Sequence, residues 1–144
     1  MWGESPAWSQ TGTRETRDAM GYVRVKGELG DPDWRTVLQV DFLADKGAFL
    51  TAISGELARK IGINAVTTTK ATLADKTEIE VGLSYAYVKI LDREATLPVA
   101  IMDVPEPLLG VTTLEGLGLK VDPVGGSVEK TRAFAVGMLR AGVT

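Results

Sequence analysis

Apolar and polar residues alternate loosely from Gly21 to Glu28, where Tyr22, Val23 and Val25 predict a strand. Gly30-Asp31-Pro32-Asp33 is a strong turn signal, and Trp34 to Ala44 predicts the next strand, so the two form a hairpin. From Val37 to Ile53 the pattern reads strand, tight turn, strand. Val37, Leu43, Phe49, Leu50 and Ile53 suit a half-buried pleated surface, and Asp45-Lys46-Gly47 interrupts them with turn chemistry. Gly47 is expected there because glycine accepts backbone angles that other residues resist. Ser54 to Ile61 predicts a short helix with Ser54 as N-cap, Gly62 as stop, and Leu57, Ala58 and Ile61 on one face.

The second half repeats this grammar. Val66 to Leu73 is a Thr-rich strand, Ala74-Asp75-Lys76-Thr77 a turn, and Glu78 to Val81 a cleanly alternating strand. Leu83 to Ile90 and Ala95 to Met102 predict two more strands around Asp92-Arg93-Glu94. Pro105-Glu106-Pro107 leads into Leu108-Leu109-Gly110, a short buried strand. Thr112 or Thr113 is expected to cap a helix running to about Leu117, with Gly118 as its stop. Val121-Asp122-Pro123 ends a strand, Gly125-Gly126 turns, and Ser127 to Arg132 is a final strand. The elements predict a mostly β domain over residues 19–132: a small closed barrel with two short helices. Residues 1–18 show no apolar period and read as a flexible tail, with Trp2 and Trp8 either exposed or docked. The stretch Ala133 to Leu139 is too apolar for a free end, and a helix packed on its own domain is one way to bury it.

Composition narrows the chemistry. The chain has 144 residues, a net charge of −3, and neither Cys nor His. That excludes disulfides, thiol nucleophiles, Cys/His zinc sites and every Ser-His-Asp or Cys-His arrangement. Acid–base work falls to carboxylates, Lys or Tyr. The charge suggests no nucleic-acid or anionic-membrane partner, and no apolar run approaches the ~20 residues of a membrane span. The first residues, Met1-Trp2-Gly3-Glu4-Ser5-Pro6, lack the pattern of a signal peptide, so a cytoplasmic protein is expected. No metal or other cofactor is indicated.

The order of these motifs resembles the retropepsin-like aspartic proteases, over roughly Gly21 to Thr131. In that family an Asp-Thr/Ser-Gly-Ala turn is followed by a strand and a short helix, and a hydrophobic-hydrophobic-Gly motif precedes a second helix. Asp45, Gly47 and Ala48 fall on the turn, and Leu108, Leu109 and Gly110 on the second motif, which runs beside the Asp strand and supports the turn from below. Gly110 would let the backbone approach closely there. The hairpin at Ala74, Asp75, Lys76 and Thr77 then corresponds to the flap that closes over bound peptide; its alternative is an ordinary surface hairpin. Family flaps often carry Gly where this chain has Lys76. The resemblance implies an aspartic endopeptidase that acts on peptide or protein substrates as a two-fold homodimer, with segment 133–144 in an intersubunit sheet.

The chemistry implied is two Asp45 carboxylates, one per subunit, sharing one proton and one water. Like charges about 3 Å apart cannot both ionise easily, so one is a base and the other an acid. Lys46 departs from the family's Thr or Ser, whose side chain ties the two turns across the axis; Lys cannot accept a hydrogen bond. An ammonium ~6 Å from Asp45 would favour the carboxylate by roughly 2–3 kcal/mol at an effective dielectric of about 20. Two further readings therefore stand beside the peptidase. One is an inactive protease-fold module that binds peptide or dimerises; the other is a Lys nucleophile, for which nothing else argues.

Overall fold

A computed structural model describes residues 16–17, 22–72, 75–122 and 124–131. Most of the expected N-terminal tail, with Trp2 and Trp8, lies outside the described residues, as do Ala74 of the second turn and the segment 133–144. Within the stretch expected as tail, the two residues of β1 (Thr16–Arg17) pair with the start of β2 (Val23–Gly30).

The hairpin β2–β3 (Val37–Ala44) forms because one side of each strand is apolar. Val23, Val25 and Leu29 are buried on β2, and Val25 stands opposite the fully buried Phe42 on β3. Next come β4 (Thr51–Ile53), helix α1 (Gly55–Ile61), β5 (Thr67–Thr72), β6 (Glu78–Ile90), β7 (Arg93–Ile101) and β8 (Leu108–Leu109). Helix α2 (Val111–Leu117) and the small hairpin β9 (Leu119–Asp122) with β10 (Ser127–Lys130) follow.

The main sheet runs β1-β2-β3-β8-β4-β7-β6-β5, and β2 also pairs with β6. That extra pairing closes the sheet into a barrel, with β1 and β5 as appendages. The described residues are mostly β with two helices, as the residue pattern predicted. Its core gathers Leu29, Phe42, Ile53, Ile61, Val88, Ile90, Val99, Leu109 and Leu117.

α1 is capped as expected. Ser54 Oγ accepts from the Leu57 N–H at 3.1 Å, and Gly62, at a φ of 78°, closes the helix in the left-handed region. Several local expectations need correction. Trp34 is not in a strand. Asp31 accepts from the Thr36 N–H at 2.8 Å and the Asp33 N–H at 3.2 Å, and this Asx-type turn holds Trp34 at a φ of 60°, so β3 starts at Val37. Glu78 to Ile90 is one continuous strand, because Gly82 stays extended opposite Thr68 and Ile101. The next turn sits at Leu91-Asp92, with Leu91 at a φ of 58°, and β7 begins already at Arg93. The second helix starts from Gly110 without a side-chain cap; Thr113, one of its expected caps, is buried elsewhere. Phe49 and Leu50 precede β4 instead of joining it, and Phe49 is exposed. β10 ends at Lys130, where the Thr131 N–H bonds to Gly118 O.

Candidate functional site

Asp45 follows the last residue of β3. Its backbone N–H donates to Leu109 O at 3.0 Å, and the Leu43 N–H donates to Pro107 O at 2.9 Å. β3 and β8 run parallel here, with Leu43 opposite Leu108 and Ala44 opposite Leu109. The apolar pair thus lies beside the Asp strand, with Leu109 fully buried.

The turn is closed by two bonds of its own. Ala48 N–H donates to Asp45 O at 3.0 Å, and Gly47 N–H donates to Asp45 Oδ1 at 2.9 Å. Gly47 is not in the left-handed region, contrary to the expectation from glycine's conformational freedom. Its role is proximity: a Cβ there would lie 3.2 Å from Asp45 Oδ1, tight against the carboxylate that the N–H must reach. Asp45 is half-buried, and Lys46 beside it is exposed. No ion pair joins the two among the described residues.

The far side of the turn is clamped by the start of α2. Val111 N–H donates to Ala48 O, and Thr112 N–H to Phe49 O, both at 2.9 Å. Gly110 sits where a Cβ would be 2.3 Å from Leu50 C and 2.6 Å from Thr51 N, so no larger residue fits without moving backbone. The Gly110 N–H donates to Thr51 Oγ1 at 3.0 Å, and Thr51 Oγ1 lies 2.6 Å from Thr113 Oγ1. Both threonines are fully buried. A buried hydroxyl pair that satisfies a backbone donor is a rigid joint, since breaking it strands polar groups without water.

Thr51 was not singled out from the sequence, and Thr113 was expected only as a helix cap. The available signal was a lone Thr inside the apolar run Phe49 to Ile53. A second missed feature is the ion pair between Arg24, on β2 opposite Leu43, and Glu106, next to Pro107. It ties the outer strand to the segment that enters β8.

Asp45, Gly47, Ala48, Leu108, Leu109 and Gly110 are therefore brought together. The second predicted group stays apart. Asp75 and Thr77 form the tip of the β5–β6 hairpin, where the Thr77 N–H donates to Asp75 Oδ1 at 2.9 Å. That backbone bond, joined by one from the Thr77 side chain, holds the Asp75 carboxyl below the usual carboxylate range. Lys76 has a φ of 69°, a left-handed conformation that glycine adopts more easily. No hydrogen bond or ion pair joins this tip to the Asp45 turn among the described residues. Nor do three carboxylates gather as a cation site would require, again among the described residues. No described helix is long and apolar enough to cross a membrane.

No family model matches the chain. No curated protein matches it either. Solved structures do. A retropepsin-like aspartic protease from Rickettsia conorii superposes with a TM-score of 0.54 at 20% identity, over 76% of this chain and 82% of that one. The EIAV protease, in complex with an inhibitor, superposes with a TM-score of 0.55 at 16% identity, over 74% of this chain and 98% of that one. The fold is retropepsin-like.

Proposed function

We propose that this protein is an aspartic-type endopeptidase that hydrolyses peptide bonds as a homodimer, with one Asp45 from each subunit. The observation that carries the reading is the Asp45 carboxylate. It is half-buried on a turn clamped from both sides, with one oxygen oriented by the Gly47 N–H. A general base must be held in one geometry before it can activate water, and this turn supplies that geometry. One such carboxylate per chain is half of a dyad, so the reading requires a second copy on a two-fold axis. There one Asp45 is ionised and takes the proton from water, while the other is protonated and donates to the substrate carbonyl. The β5–β6 hairpin acts as the flap, and Leu108, Leu109 and Gly110 support the turn. A cytoplasmic setting belongs to the same reading; a chain without cysteine needs no oxidising compartment.

Lys46 sets the level of activity. It is exposed and offers no hydroxyl that could accept a hydrogen bond and link the two turns, so Lys46→Thr raises hydrolysis. The test uses a quenched fluorescent peptide mixture from about pH 3 to about pH 8. The chain itself, Lys46→Thr, and Lys46→Thr with Asp45→Asn are compared, with sedimentation run alongside. The expected result is cleavage that rises with Lys46→Thr, peaks at acidic pH and vanishes with Asp45→Asn. A Lys46→Thr dimer that cleaves nothing would instead make the protein a peptide-binding module on a protease fold. A monomer at tens of micromolar, with or without peptide, would remove the two-Asp mechanism.

A further inference from the structure

β8 is two residues long, yet the end of the Asp strand depends on it and on the residue before it. The Asp45 N–H is held by Leu109 O and the Leu43 N–H by Pro107 O. So short a parallel ladder has little strength of its own. The segment that feeds it is poor in backbone anchors. Pro105 and Pro107 have no N–H to donate. The last backbone bond before it runs from the Met102 N–H to Ile53 O at 3.0 Å. Over residues 103–106, among the described residues, the one remaining tie to the barrel is the side chain of Glu106 on Arg24.

That tie stands where support is needed. Arg24 on β2 is opposite Leu43 on β3, and Leu43 is opposite Leu108 on β8, so the three form one row across the strands. The Leu43 N–H is spent on Pro107 O. Arg24 and Leu43 therefore make the close, non-hydrogen-bonded kind of antiparallel pair, with their side chains on one face. Glu106 lies two residues before Leu108. Two strand intervals measure about 10 Å, a span that one arginine and one glutamate cover together. The two side chains are 31% and 30% exposed, so most of each is out of water, where a charge-assisted bond is stronger than at an open surface. The pairs Lys26–Asp41 and Lys130–Asp92 lie elsewhere and do not touch the segment before β8.

We propose that Arg24 and Glu106 are positioning residues for Asp45. The pair staples β2, across β3, to the entry of β8. It thereby fixes where the Pro107 and Leu109 carbonyls meet the Leu43 and Asp45 N–H groups. Without it the two-residue ladder opens, while the α2 side of the clamp, at Val111 and Thr112, stays closed. The Asp45 carboxylate then keeps its Gly47 bond but loses its fixed place. The consequence for catalysis rests on the peptidase reading; the consequence for the turn does not.

The test is native-state amide exchange of the full chain, followed by 15N–1H NMR, with Val88 in the middle of the barrel as internal reference. Glu106→Ala should speed exchange at Leu43 and Asp45 at least about tenfold relative to Val88, and leave Thr112 unchanged on the same scale. Glu106→Gln, which keeps the volume and loses the charge, should show the same pattern in smaller measure. Arg24→Met added to Glu106→Ala should raise the two rates by much less than the product of the single effects, because the residues act as a unit. A second arm uses one quenched peptide that the Lys46→Thr chain cleaves. There Glu106→Ala should lower kcat about tenfold with KM within about twofold, since geometry is lost and no substrate contact is. If Lys46→Thr cleaves no peptide, the peptidase reading fails and the exchange arm alone decides the proposal. Unchanged exchange at Leu43 and Asp45 overturns it. So does an equal rise at Val88, which is plain loss of stability, or full independence of the two substitutions. A raised KM with kcat unchanged would make the pair a substrate contact and overturn it too.

Discussion

Asp45-Lys46-Gly47 and Asp75-Lys76-Thr77 use the same local device. In each, an aspartate carboxylate accepts from the N–H two residues on, at 2.9 Å in both cases, with a lysine between. Their surroundings differ completely. The first turn is gripped by β8 and α2 through four backbone bonds that involve Asp45, Leu43, Ala48 and Phe49, with the buried Thr51–Thr113 pair behind it. The second sits at the end of an exposed ribbon, and its lysine is held at a φ of 69°. An Asx turn orients a carboxylate only relative to its own backbone. A carboxylate that must meet a water and a substrate also needs that backbone fixed in space, which only the first turn has.

The largest expected difference between the two turns comes from Gly110→Ala. The new methyl would meet backbone atoms of Leu50 and Thr51 that cannot step aside, so urea unfolding should show a loss of about 3 kcal/mol or more. Thr77→Ala at the exposed tip should stay within about 0.5 kcal/mol by the same measurement. Comparable losses would mean that the clamp around Asp45 is no tighter than the free hairpin.

Thr51→Val comes next. It removes the acceptor for the Gly110 N–H and the partner of the Thr113 hydroxyl, and should cost about 1–3 kcal/mol. Adding Thr113→Val should recover part of that loss, because one stranded hydroxyl is gone, while the Gly110 N–H remains unsatisfied. A double-mutant cycle with no coupling would show that the two hydroxyls do not act as a unit.

Glycine in place of each lysine should give opposite signs. At Lys76 it relieves a left-handed conformation, so Lys76→Gly should be neutral or stabilising by up to about 1 kcal/mol. Lys46 is not among the left-handed residues, so Lys46→Gly only frees the unfolded chain and should cost roughly 0.5–1 kcal/mol. Equal effects from the two substitutions, by thermal unfolding, would erase the distinction.

The smallest effect is a pH dependence of the exposed tip. The Asp75 pKa is lowered from 3.8 in the folded chain by the Thr77 N–H. A depressed carboxyl pKa contributes stability that is present above the unfolded value and is lost as pH falls through the folded one. Exchange at the Thr77 amide, corrected for its intrinsic rate, should therefore quicken only below about pH 4. In Asp75→Asn this acid dependence should disappear.

Local features were legible in the residues because their causes lie a few positions apart. The Ser54 cap, the Gly62 stop, the β2–β3 alternation and the turn signals all rest on contacts between near neighbours. Where a local reading failed, a distant partner was usually responsible. Thr113 looked like a helix cap, yet its hydroxyl meets Thr51, 62 residues away in sequence. Trp34 looked like a strand former, but the Asp31 carboxylate had already committed the loop to a turn.

The sequence by itself determined that this is a β-rich domain without Cys or His chemistry, with an Asp-containing turn and a Leu-Leu-Gly segment as its most informative motifs. It could not distinguish the Asp45 turn from the Asp75 turn by local pattern, since both are Asp-Lys turns between strand-forming runs. Tertiary structure decided that. Parallel pairing of β3 with β8, and the approach of Gly110 to the Leu50–Thr51 peptide, bring segments from the two halves of the chain within hydrogen-bonding distance. Those long-range contacts form only when the closed sheet and its buried core bring them together, because no residue near Asp45 in sequence can supply them.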